Sequence, residues 1–490
     1  LPSFLVDIAL HIPLDRIFTY LVPPELQSSV ALGKRALVPF GSKHLTGVIV
    51  GQPAASNVSG IKPINDILDE KPTFSPELLA LTKWIAEYYL APWGEVLRAA
   101  TPQGFSRESK KTVHLLAQDV DILLQATKNP APRQHAVLQA LKNSRILSFS
   151  QLQTKVRAKS IHAVIHEMEK RGWISVEEEI EQQKAKRKFE KTVGFTAEGW
   201  KWTSSEPGGG SLSSKQMFIL DALRKECPSE PVFTGLQSFL KKNNASLSAL
   251  KTLVKKNMLQ ISAREVIRRS EYEPDGPPPD ITLNADQQHA LDEIMHATAE
   301  GRFRAFLLHG ITGSGKTQVY IDAIRRVLDL GKTAIVLVPE ISLTPQTVRR
   351  FKAHFGGDVA VMHSQMSVGE RYDAWRMAHE GKVKIVIGPR SAIFAPLENV
   401  GLIVVDEEHD SSYKQFDAAP RYNARDVALV RASHLHAVVV LGSATPSAES
   451  YANAIHEKYT LLELPGRVDD AQLPAIEIVD MAKERRAVYD

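Results

Sequence analysis

The stretch AFLLHGITGSGKTQVY, residues 305–320, runs from an unbroken apolar segment through a glycine-rich turn into residues at helical spacing. Gly310, Gly315, Lys316 and Thr317 stand in the order G-x-x-x-x-G-K-T, after a strand signal and before a helix signal. That setting lets backbone amides wrap a polyphosphate at a helix N-terminus. Gly313 and Gly315 give the turn its freedom, Lys316 neutralises the β and γ oxygens, and Thr317 holds magnesium. The expected nucleotide site is therefore Gly310, Ile311, Thr312, Gly313, Ser314, Gly315, Lys316 and Thr317, with ATP and Mg2+ as cofactors.

Outward from this turn the pattern continues. TAIVLVP, VAVMH, VKIVIG, LIVVD and AVVVLG are further apolar runs, separated by helical segments near 318–330 and 345–355. Continuous rather than alternating runs predict a parallel sheet covered on both faces, a doubly wound α/β lobe over 283–465. LIVVD ends at Asp406 and opens the cluster DEEHD, residues 406–410. At the carboxyl edge of such a sheet Asp406 is expected to coordinate the magnesium, directly or through water, and Glu407 to polarise an attacking water, with His409 next in line.

Before the lobe the chain changes character. Residues 1–105 alternate in short runs, FLVDIAL, IFTYLV, RALVPF and TGVIVG, and then give the helical pattern SPELLALTKWIAEYYL, which predicts a small β-rich domain closed by a helix. RQHAVLQALK (133–142) is answered by KQMFILDALR (215–224), and HEMEKRGWISVEEE by KTLVKKNMLQISARE. Two copies of one module follow, at 106–203 and 204–272, each in the helix order of a winged helix-turn-helix. Such modules bind DNA or serve as protein-contact spacers, and both readings stay open. KAKRKFEK (184–191) and SSEPGGGSLSS (204–214) read as a basic run and a flexible linker, and EPDGPPPD opens a linker over 273–282 that cannot continue a helix.

Composition bounds the rest. With 490 residues, 43% hydrophobic and 24% charged, the chain has material for several cores. One cysteine, Cys227, rules out an internal disulfide and a multi-cysteine zinc cluster in this chain, and reads as an inert thiol of a reducing, cytoplasmic protein. No apolar run reaches membrane-helix length, and a start at Leu1 suggests a trimmed N-terminus. The net charge of +4 is unevenly spread: residues 101–272 hold 29 Lys and Arg against 17 Asp and Glu, a basic middle suited to a phosphate backbone or simply to a solvated face.

These motifs carry a resemblance. DEEHD is similar to the DExH box of superfamily-two helicases, GSATP (442–446) to the motif that couples their ATP hydrolysis to DNA, and LNADQ to their adenine-reading motif, placing Gln287 on the base. More narrowly, GITGSGKTQVY, VPEISLTPQT, GPRSAIFAP and DEEHDSSYKQ with RYNARD resemble the PriA family of bacterial replication-restart helicases over about 283–465, and IPLDRIFTYLVP and GKRALVPFG resemble its N-terminal domain. The resemblance implies a RecA-like lobe with Lys316, Asp406, Glu407 and His409 catalytic and Ser443 and Thr445 coupling. It further implies an aromatic loop in which Tyr413, Phe416 and Tyr422 stack on bases while Arg390, Lys414, Arg421 and Arg425 meet phosphates. The residues alone allow the opposite, rings packed inward. A pocket for the 3′ end would use Phe18, Tyr20, Gly41 and Lys62, with Thr19 where the family has an aspartate, a weaker acceptor for a sugar hydroxyl.

Branched and single-stranded DNA, primosome proteins and single-stranded DNA-binding protein are the partners so implied. The family continues with zinc-binding cysteines, a second lobe bearing an arginine finger and a C-terminal domain. Residues 466–490 read as the start of the connection to that lobe, zinc is expected only there, and hydrolysis by this chain without it is in question. Composition and spacing alone support an ATP-driven nucleic-acid motor lobe joined to DNA-binding modules. The rival readings are a fork-binding scaffold with a nucleotide-dependent clamp and a superfamily-two enzyme acting on RNA or duplex DNA.

Overall fold

The computed structural model describes residues 4–468 and 478–480, apart from 42, 56–59, 103, 106–108, 118, 129–130, 157–160, 181–186, 205–211, 228–231, 269–275 and 279–280. Of the expected linkers, 205–211, 273–275 and 279–280 lie outside these residues, as does most of 466–490, while the basic run at 184–191 is described from Arg187 onward. Two units divide the chain: 1–184 with 271–366 and 374–490, and 185–270 with 367–373.

In the first unit the alternating N-terminal runs become β1 (Leu5–Leu10), β2 (Ile17–Leu21), β3 (Arg35–Phe40), β4 (Lys43–Gly51) and the short β5 (Asp66–Ile67), an antiparallel sheet in the order β2-β1-β4-β3-β5. One face buries Val6, Ile8, Leu10, Tyr20, Val38 and Ile49. Ala9 and Val48 belong instead to the core built with helices α1 (Pro76–Tyr88) and α2 (Trp93–Ala99). Ser75 caps α1, its hydroxyl accepting from the Leu78 amide at 3.2 Å.

Helix α1 also carries the domain onto the lobe. Among the described residues, Arg431 is the largest fully buried side chain, and its guanidinium donates to both oxygens of Glu77 at 3.2 Å and to the Ile393 carbonyl. Phe105 meets Trp375 edge-on at 4.9 Å, and His379 bonds the Pro72 carbonyl. One apolar core accordingly runs from the N-terminal helices into the lobe.

The first module holds β6 (Ser109–Leu115), α3 (Val120–Thr127), α4 (Pro132–Lys142), β7 (Ile146–Ser148), α5 (Phe149–Val156), α6 (His162–Lys170) and β8 (Ile174–Ile180). The second unit repeats this order with β9 (Lys188–Phe195), α7 (Ala197–Ser204), α8 (Ser214–Glu226), β10 (Thr234–Gly235), α9 (Leu236–Lys242), α10 (Leu247–Lys255) and β11 (Leu259–Val266). The sheets correspond, β7-β6-β8 and β10-β9-β11. So do the cores: Gln134, Val137, Leu138 and Leu141 are buried on α4 where Gln216, Ile219, Leu220 and Leu223 are buried on α8.

One expectation changes here. The boundary at 203/204 moves to the start of β9, because 188–195 pairs with β11 in the second module and not with the first. The last strand of each module is partnered by the strand that opens it, so the wing is closed from the N-terminal side. Cys227 ends α8 fully buried, which fits an inert thiol.

The lobe comprises α11 (Ala285–Glu300), β12 (Arg304–Gly310), α12 (Lys316–Asp329), β13 (Thr333–Leu337), α13 (Pro345–Phe355), β14 (Val359–Val361), α14 (Val368–His379), β15 (Ile385–Gly388), β16 (Val400–Asp406), α15 (Ala424–Leu435), β17 (Val438–Ser443), α16 (Ala448–Ile455) and β18 (Thr460–Leu464). Its sheet is parallel throughout, in the order β14-β15-β13-β16-β17-β12-β18. The reversal of strand order puts the ends of β12 and β16 on either side of β17, the place where such sheets collect ligands. Among the described residues no helix is long and apolar enough to cross a membrane.

Candidate nucleotide and DNA site

β12 ends at Gly310 and α12 begins at Lys316, so the turn between them sits at a helix N-terminus. Gly313 and Gly315 hold φ of 84° and 82°, a region open to glycine at little cost. A side chain on Gly315 would also collide with the Gln287 amide. Gln287 is itself fixed: its Oε1 accepts from the Asn284 amide at 3.0 Å and its Nε2 donates to the Ser314 carbonyl at 2.9 Å. The residue expected to read adenine thus braces the phosphate turn in this arrangement, although it also lines the cleft.

That cleft measures about 660 Å³ and is bounded by the turn, Asp406, Glu407, Arg350 and Arg467, the size of a small-ligand site. Lys316 is buried in it and donates to the Gly310 carbonyl at 2.7 Å. The Ser314 hydroxyl is buried with no hydrogen-bond partner. A carboxylate, a hydroxyl at Thr317, a parked ammonium and an orphaned hydroxyl around one polar cleft form a set that a magnesium–polyphosphate would complete.

Two tyrosine hydroxyls hold Asp406 at the end of β16. Tyr320, one turn into α12, donates to its carboxylate at 3.1 Å, and Tyr413 donates to its backbone carbonyl at 2.6 Å. Burial, and then the neighbouring Glu407 charge, push the Asp406 carboxyl up to about 6. Glu407 has φ of 46°, a costly region for a side chain of this kind, which turns it out of the strand direction into the cleft.

The rest of the acidic cluster ties to the next strand. His409 Nδ1 bonds the Ser443 hydroxyl at 2.8 Å, and its Nε2 lies 3.4 Å from Thr445 Oγ1. The structure therefore brings together His409, Ser443 and Thr445. Glu408, which sequence reading passed over, is 2% exposed and collects the Arg425 guanidinium at 3.0 Å, the Ser447 amide at 2.6 Å and the Ser450 hydroxyl at 2.8 Å. Its signal was available only as a third acid in a cluster usually read as solvated.

The loop from Ser411 to Asn423 corrects the expectation for the aromatic rings. Tyr413 and Tyr422 are 1% and 2% exposed, so neither offers a face to a base, and Tyr422 packs edge-on to Phe394 at 5.3 Å. Burial alone favours this, because a ring shielded under a closed loop loses its water. Phe416, 65% exposed, presents the loop's free ring. Arg425 is half-buried and committed to Glu408, Ser447 and Asp426, not to phosphates. Arg390 donates to the Ser412 carbonyl at 3.2 Å and Lys414 to the Arg421 carbonyl at 2.6 Å, so both brace the loop, while Arg421 is exposed.

In the N-terminal domain Phe18 meets Phe40 edge-on at 5.3 Å, beside the turn at Gly41, and Lys62 is exposed at the end of β2, its carbonyl accepting from Leu21. Tyr20 departs from expectation: it is 5% exposed, packed in the core, with its hydroxyl donating to Pro39 O at 3.2 Å. Thr19 donates to Asp7 on the adjacent strand at 2.7 Å.

Residues 7–102 match the family described as 3′DNA-binding domain (3′BD), and residues 280–448 the family described as type III restriction enzyme, res subunit. The replication restart protein PriA of Bacillus subtilis is 38% identical over 482 residues, covering 96% of this chain and 57% of that protein. Its namesake from Synechocystis sp. is 36% identical over 484 residues, covering 96% and 56%. The chain thus spans just over half the length of these relatives. A structure of RecG bound to a three-way DNA junction overlaps 43% of this chain and 27% of its own at 23% identity and a TM-score of 0.32, too low to argue from.

Proposed function

We propose, from the premise that this chain belongs to the PriA family of replication restart proteins over the span it shares with them, that it binds branched DNA and couples ATP hydrolysis to 3′-to-5′ unwinding, so that replication restarts at stalled forks. The observation that carries the ATP-driven part is the phosphate turn facing Asp406 and Glu407 across one cleft, with His409 bonded to the following strand at Ser443. Lys316 and Thr317 bind the phosphates, Asp406 and Thr317 would hold magnesium, and the ion when bound supplies charge neutralisation at the phosphates. Glu407 orients and deprotonates water. Phe416 stacks on a base and Arg421 meets phosphate, while Tyr413 and Tyr422 keep the loop's shape. The N-terminal domain takes the 3′ end, with Phe18, Gly41 and Lys62 the contacts left open by the buried Tyr20. Primosome proteins and single-stranded DNA-binding protein are the proposed protein partners.

The test of fork recognition is fluorescence anisotropy with a labelled fork carrying a recessed 3′ end and with linear duplex of the same length. The proposal expects the fork to bind more tightly, and more tightly again than a fork whose strand ends in a 3′ phosphate. Equal affinity for all three would remove it.

A further inference from the structure

One tyrosine outside the lobe touches the aromatic loop at its base. Tyr89, just past the end of α1, accepts a hydrogen bond from the Asn423 amide at 3.2 Å across 334 residues of sequence. The Lys414 ammonium lies 5.0 Å from the centre of its ring. Lys414 and Asn423 are the two residues that pair to close the loop, and the next rung inward is the Gln415 amide on the Tyr422 carbonyl at 2.9 Å. Tyr89 therefore grips both sides of the closing rung.

The grip is rigid on its own side. Tyr88 meets Tyr89 edge-on at 4.9 Å and Trp84 does so at 6.2 Å, and α1 beneath them is fastened through Glu77 to buried Arg431. On the lobe side the same rung continues into the nucleotide cleft: Tyr413 precedes Lys414 and its hydroxyl holds the Asp406 carbonyl at 2.6 Å. Asn423 caps α15, its side chain accepting from the Arg425 amide, and Arg425 holds Glu408. A contiguous set of contacts thus joins the N-terminal domain to Asp406 and Glu408 without passing through the exposed tip of the loop.

We propose that Tyr89 is a positioning residue through which the N-terminal domain holds the base of the aromatic loop, and with it the acidic end of β16. This rests on the reading that the loop meets DNA and the cleft takes ATP. DNA drawn onto Phe416 pulls against this tie, so the ATP site is set by both the loop and the domain assigned to the 3′ end. The hydroxyl fixes Asn423 and the ring fixes Lys414, which lets the two contributions be separated.

Hydrogen exchange of residues 413–424 would be followed by mass spectrometry in the full chain, as wild type, Tyr89→Phe and Tyr89→Ala, without DNA and with an oligothymidine strand. Tyr89→Phe keeps the ring and removes only the acceptor. It should speed exchange at Asn423 by about threefold to tenfold, the factor that losing one hydrogen bond gives, and leave strand β16 unchanged. Tyr89→Ala should extend the effect to Lys414 and Gln415. In both variants ATP turnover without DNA should move toward the DNA-bound rate, lowering the ratio of stimulation. Unaltered exchange at Asn423 in Tyr89→Phe overturns the proposal whether or not the chain turns over ATP. Faster exchange with an unaltered stimulation ratio also overturns it, reducing Tyr89 to support of the fold. Absence of turnover in the wild type as well would count against the ATP reading and not against the contact, which the exchange reports separately.

Discussion

Asp406 and Glu407 are neighbours at one strand end, yet the backbone sends their side chains different ways, which suits the separate tasks proposed for them. Asp406 stays in line with the strand, half-buried and held by two tyrosine hydroxyls, while Glu407 turns through a positive φ into the cleft. Glu407→Gln should lower ATP turnover by about a hundredfold or more with magnesium-nucleotide affinity nearly kept, measured by turnover beside titration of a fluorescent nucleotide. Parallel loss of affinity would assign Glu407 to binding. Phe416→Ala should weaken single-strand binding by about 1–3 kcal/mol, whereas Tyr422→Ala should lower the melting temperature first, because only Phe416 is exposed. Which ring would be free was not legible in the sequence: three aromatics among polar residues fix no direction until Lys414 and Asn423 close the loop. A third prediction concerns His11, which burial, with help from Arg35 and Arg98, pushes down to about 3. The unfolded chain gains that proton below about 6.5 and the folded chain does not, so stability is lost as pH falls from 6.5 toward 3, by up to about 1.4 kcal/mol per pH unit. The urea midpoint should accordingly drop more between pH 7 and pH 5 in the wild type than in His11→Gln, and equal drops would contradict the assignment.

At the scale of elements, what could be read in advance was what periodicity and capping dictate. The helix at 345–355 appears at those residues, started by Thr344, and α12 starts at Lys316 because the phosphate turn ends there. β18 and α11 escaped notice: β18 is a five-residue edge strand, and α11 carries its signal in a capping box, Asn284 with Gln287, that had been read only as an adenine motif. Contacts between distant elements left no trace in sequence. Nothing in SPELLALTKWIAEYYL says that Glu77 will neutralise Arg431 on α15. Removing one partner of such a pair strands a buried charge, so Glu77→Ala should destabilise the chain by about 3 kcal/mol or more, read by chemical denaturation. The double change Glu77→Leu with Arg431→Met should recover much of that loss, since apolar replacement of both partners removes the stranded charge.

Across the whole molecule, the repeat in the middle of the chain was visible because its helices repeat their buried positions, Val137, Leu138 and Leu141 against Ile219, Leu220 and Leu223. The boundary between the copies was not, since strand β9 precedes its helices and looks like a tail of the first copy until it pairs with β11. The geometry of the candidate nucleotide site was the most legible part, because spacing within one turn and one strand end is local. The parts proposed to face DNA depend on which side chains the fold leaves outside. Central to the account is that one cleft binds ATP and answers to DNA held by the same chain. ATP turnover should be measured with and without a forked DNA bearing a nascent 3′ end, with Lys316→Ala as the blank. The account predicts turnover above the blank that rises when the fork is added; turnover no higher than the blank in both conditions, with no nucleotide bound, would contradict it.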